Sequence, residues 1–94
     1  MPLASAQLDI IARRVVWWKP PSEALADHDD FLCRVMVFGT WDDAAFVIGS
    51  LGEEAMRHAL RHAPAGLFDP ASWHYWHHRL GFHEVPELPR RALA

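Results

Sequence analysis

Histidine is the residue type here whose spacing comes closest to chemistry. His58 and His62 stand four apart, as do His74 and His78. On a helix such residues project from one face, and two imidazoles so placed can chelate zinc. A structural zinc site takes four ligands, and a catalytic one takes three plus water. Spacing places no acid among these pairs. Surface or interface histidines are therefore the expectation, with no metal and no cofactor. Neither a nucleophile nor an orienting acid is indicated for a catalytic histidine. Cys33, the one cysteine, sits beside the apolar positions of its segment and reads as a small buried hydrophobe. A glycine-rich phosphate loop, a serine nucleophile elbow and an HExxH pair are all missing. The expectation is a protein that is not an enzyme.

Binding chemistry has more candidates. Arg57 and Arg61, with His58 and His62, make one helix face basic. Such a face meets phosphate or an acidic partner, or is simply solvated. Trp18, beside a double-proline bend, and Tyr75, off the face shared by Trp73 and Trp76, are the aromatics free to anchor a partner. Near the end, Leu88 offers an apolar anchor and Arg90 and Arg91 a basic pair. The segment carrying them reads either as a mobile strap for a partner or as a strand of chain packed back on Trp17 and Trp18. The short turn at Gly52 allows a helix-turn-helix. Its second helix, however, has no Asn, Gln, Ser or Thr to read base edges.

These residues need elements to hold them, and the apolar spacing supplies helices. Leu8, Ile11, Ala12 and Val15 mark a first helix over roughly 5–16, with Ser5 as a possible cap. Lys19-Pro20-Pro21 imposes a bend. Asp27 caps a second helix carrying Phe31, Val35 and Phe38 on one face, stopped by Gly39. Thr40 caps a third helix that ends at Gly52, and Glu53 and Glu54 open a fourth that closes at Pro64 and Gly66. Asp69-Pro70 starts a fifth, with Trp73, Trp76, His77 and Leu80 on one face and Gly81 as its stop. No stretch alternates long enough for a sheet. The expected fold is an all-α bundle of four to five short helices over residues 1–83. An extended proline-containing tail follows over 84–94.

The chain has 94 residues, 51% hydrophobic and 22% charged, enough for one small packed domain. No apolar run approaches the roughly 18 residues that span a bilayer. The start lacks a basic segment followed by an apolar run, so no signal peptide is expected; with a lone cysteine this suits the cytoplasm. Residues 1–54 hold nine acids and four bases, whereas residues 55–94 hold three acids, five bases and six of the seven histidines. The molecule is expected to be polarised, acidic at the front and basic behind. A net charge of −3 disfavours general nucleic-acid binding.

The order of these pieces resembles a known family. Phe31 to Gly39-Thr40-Trp41-Asp42-Asp43, the Leu51-Gly52-Glu53-Glu54 turn and Asp69-Pro70 leading to Trp73-His74-Tyr75-Trp76 carry the likeness. Leu80-Gly81 and the stretch from Pro86 to Arg91 complete it. Together they resemble a family of small uncharacterised helical bacterial proteins encoded next to nucleotidyltransferase-like toxins of the abortive-infection type. The resemblance implies an antitoxin or accessory partner that binds and neutralises such a toxin. A small DNA-binding regulator of its own operon is the alternative.

Overall fold

The structure, a computed structural model, describes residues 3–89. Among them are six helices and no strand: α1 (Leu3–Val15), α2 (Pro21–Ala26), α3 (His28–Phe38), α4 (Trp41–Leu51), α5 (Glu53–Arg61) and α6 (Pro70–Arg79). The all-α expectation is met, with one or two helices more than the spacing implied.

Three helix starts follow from local chemistry. The Asp27 side chain accepts from the Asp30 amide at 3.3 Å, and Asp69 accepts from the Ser72 amide at 2.8 Å. Thr40 and Asp43 form a reciprocal capping box, each side chain accepting from the other's amide at 3.0 Å. Two expectations at the front need correction. The first helix begins at Leu3, so Ser5 lies inside it and does not cap it. The double proline starts α2 as well as bending the chain. Pro20 is extended, and Pro21 occupies the first helical position, where its missing N–H costs nothing.

Gly39 stops α3 in an extended conformation (φ −77°, ψ 166°), without the left-handed turn usual for glycine stops. Its lack of a side chain matters because a Cβ there would lie 2.7 Å from the Val35 carbonyl oxygen. Gly52 alone joins α4 to α5, at φ +90° and ψ 158°, a conformation open essentially to glycine. At the end of α6 the Gly81 amide bonds the His78 carbonyl at 3.1 Å. The Phe82 amide bonds that of His77 at 2.9 Å, completing a Schellman stop.

α3 is the central element, packed against all five other helices. Phe31, Leu32 and Val35 are fully buried on α3, as are Met56, Ala59 and Leu60 on α5, the helix it packs against most extensively. Trp73, Trp76 and Leu80 turn inward as expected. Trp76 Nε1 donates to the Met36 carbonyl at 3.0 Å and Trp73 Nε1 to that of Pro86 at 2.7 Å, so both indoles are buried without an orphaned donor. Phe38 departs from its expected face: it is the last residue of α3, no element covers it, and it is 59% exposed.

Nor do the two charge halves form separate poles. Asp29 lies 3.0 Å from His58, and Glu53 pairs with both Arg57 and Arg79. Packing α3 on α5, together with the ion pairs of the first turn of α5 itself, sets acids of the first half beside bases of the second. Residues 85–89 carry no helix or strand. Up to Pro89 the tail is fastened at Trp73, whose indole donates to the Pro86 carbonyl, and at Gly66, whose amide bonds the Pro89 carbonyl at 3.2 Å.

Candidate protein-docking surface

The last turn of α3 and the Gly39-Thr40 corner set the geometry of an open aromatic surface. Trp41, placed at the first position of α4 by the capping box, is 69% exposed. Its ring meets that of Tyr75 of α6 edge-on at 5.1 Å, and Tyr75 in turn meets Trp76 at 5.1 Å. Met36, Gly39, Trp41, Ala44, Tyr75 and Trp76 are among the walls of a groove of about 600 Å³. Across α3, Trp17 and Trp18 stack edge-to-face at 5.5 Å and share a smaller recess with Phe38. Trp17 is 75% exposed and Trp18 47%. The Arg34 guanidinium lies 4.8 Å from the Trp18 ring centre while holding Asp30 at 2.8 Å, so a cation–π contact fixes the indole. Groups of this kind anchor other proteins: large, stiff and apolar, with a polar edge.

The expected partner-binding residues divide. Trp18 and Tyr75 border this surface and are open. Arg57 is engaged within the chain: Nε donates to the Leu80 carbonyl at 2.8 Å, and its other nitrogens to Glu53 and Glu54. Arg61 pairs with Glu54 at 3.2 Å, and those arginines hold the Glu54 carboxyl below the usual carboxylate range. The basic face of α5 is thus largely neutralised. Leu88 is half-buried against the core, and Arg90 and Arg91 lie outside the described residues. Spacing missed Trp41 and Phe38. One sits in a cap motif and the other on an apparent core face, and neither signal shows which helix end lacks a neighbour.

The buried ionisable groups are structural. Asp43 receives two 2.7 Å hydrogen bonds from the Arg14 guanidinium. Burial pushes its carboxyl up, but Arg14 and Thr40 together outweigh that and hold it below the usual carboxylate range. His77 is buried between Trp73 and Phe82, with Nδ1 2.7 Å from the Trp73 carbonyl. Burial lowers its pKa, keeping it neutral. Cys33 is buried with Sγ 3.3 Å from the Ala59 carbonyl, and burial with nearby acids pushes the thiol up to about 12, which makes it a packing residue. The two histidine pairs do not converge among the described residues; His74 and His78 stay exposed on α6. No helix among the described residues is long and apolar enough to cross a membrane. Comparison with family models, with curated proteins and with solved structures finds no match to the chain.

Proposed function

We propose that this protein is a non-enzymatic, cytoplasmic binding module that docks a protein partner on the aromatic surface at the end of α3. The supporting observation is the group Trp17, Trp18, Phe38, Trp41 and Tyr75, each 43–75% exposed, bordering one helix end. Single exposed apolar residues are ordinary, but a cluster of aromatics beside a groove is the composition of an interface centre. The family resemblance points to a nucleotidyltransferase-type toxin as the partner and to neutralisation by occlusion. The tail from Leu88 through Arg90 and Arg91 would extend the contact toward carboxylates of the partner. The ion pairs on α5 weigh against the alternative, a DNA-binding regulator, because phosphate would have to displace Glu53 and Glu54 from Arg57 and Arg61.

Co-expression with a nucleotidyltransferase toxin of the proposed partner class is the test. The wild-type chain should restore growth, and Trp41→Ala should fail while folding normally. Equal rescue by Trp41→Ala and by Trp18→Ala would remove the aromatic surface from the function. A gel shift on its own upstream DNA that weakens in Arg61→Ala would favour the regulator.

A further inference from the structure

The histidines four apart on α5 meet an acid that no spacing revealed. Asp29, in the first turn of α3, places Oδ1 3.0 Å from His58 Nδ1 and Oδ2 3.8 Å from His62 Nδ1. The two imidazole centres are 4.4 Å apart with their planes 36° off parallel. One ligand-capable atom of each residue lies within 4.8 Å of the other two. Zinc bonds near 2.0–2.1 Å in a tetrahedral shell put ligand atoms about 3.4 Å apart. The remaining gap is of the order that a side-chain rotation closes. These side chains have that freedom: His58 is 59% exposed, His62 58% and Asp29 30%.

We propose that Asp29, His58 and His62 bind a divalent transition cation of the zinc class, with water completing the shell. Two imidazoles and one carboxylate are a donor set suited to zinc and poor for magnesium, which wants oxygen ligands. His62 Nδ1 lies 2.8 Å from the His58 carbonyl, so the proton belongs on Nδ1 and Nε2 keeps its lone pair for a metal. For His58 Nδ1 to bind the cation, its imidazole takes the tautomer with the proton on Nε2, and the Asp29 carboxylate turns from that N–H to the ion.

The surrounding charges favour a cation. Nearby guanidiniums are engaged, Arg34 with Asp30 and Arg61 with Glu54. His62 caps the C-terminal end of α5, the negative end of the helix dipole. The N-terminus of α3 opposes this, but the Asp27 carboxylate caps it. The ion would clamp α3 to α5, the best-packed pair of helices, whether or not the aromatic surface docks a partner.

The probe is zinc chloride added to the full chain without a polyhistidine tag, followed by calorimetry and thermal melting, with magnesium as control. Expected are saturable 1:1 binding, a raised melting temperature with zinc alone, and a Kd weakened about tenfold or more by Asp29→Asn or His62→Ala. Histidine NMR of the unmodified chain gives a readout independent of the variants: His58 and His62 must shift with zinc while His74 and His78 do not. Absence of saturable binding at millimolar zinc would overturn the proposal. So would binding that Asp29→Asn leaves unchanged, since that is a bare histidine pair, or equal shifts at all four histidines.

Discussion

At its first turn α3 is ringed by polar partners: Asp27 caps it, Asp29 faces His58, and Asp30 holds Arg34. At its last turn the surroundings are apolar and open, with Phe38 uncovered and Trp18, Trp41 and Tyr75 beside it. The same helix therefore meets polar partners at one end and leaves apolar area uncovered at the other. Polar groups at a surface are satisfied by neighbours or water, whereas exposed aromatic area gains free energy only when something covers it. Under the proposed function, the first end and the core behind it serve stability, and the second end serves recognition.

Substituting buried and open aromatics sharpens that contrast most. Trp76→Ala removes a buried indole and its hydrogen bond to Met36, and we expect a loss of about 3–5 kcal/mol in urea denaturation. Trp41→Ala, in the same groove, should change stability by only about 0.5 kcal/mol. Similar losses for the two would break the comparison. Next in size is Asp43→Ala, which removes both the α4 capping box and the Arg14 contact. About 2 kcal/mol is expected, limited because Arg14 is half exposed.

Acid sensitivity should also belong to the interior. His77 has its pKa lowered from 6.5 by burial, so the unfolded chain takes up this proton first. Its contribution is complete above pH about 6.5 and is lost as pH falls through the folded value. Asp43, held below 3.8, contributes above that value and loses it only in stronger acid. Urea midpoints measured from pH 8 to 5 should fall in the wild type and fall less in His77→Phe. Identical slopes would remove His77 from the account. A small effect is also expected at the polar end, where Asp29→Asn without metal should cost under about 1 kcal/mol, as for an exposed polar contact.

What the sequence made legible acts over short range. The caps at Asp27, Thr40 and Asp69 close bonds three residues away, and the spacing of Trp73, Trp76 and Leu80 states which side of α6 faces in. α2 was illegible because six residues are too few to show a period. Phe38 was misplaced because periodicity defines a face but not where its cover ends. The meeting of Asp29 with His58, 29 residues on, and of Arg57 with the Leu80 carbonyl, 23 residues on, depends on how α5 docks against α3 and α6. Those contacts decide which charged side chains are free, so the basic face looked more available in sequence than it is.

The central claim is that the open aromatic end of α3 is where a protein partner sits. Calorimetric titration of a nucleotidyltransferase of the proposed partner class into the wild-type, Trp41→Ala and Asp29→Asn chains tests it most directly. We expect Trp41→Ala to weaken binding by about thirtyfold or more, as for an interface hot spot of at least 2 kcal/mol, with its melting temperature moved by no more than about 4 °C. Asp29→Asn should bind as the wild type does. Wild-type affinity in Trp41→Ala, or a loss confined to Asp29→Asn, would contradict the division of labour between the two ends of α3.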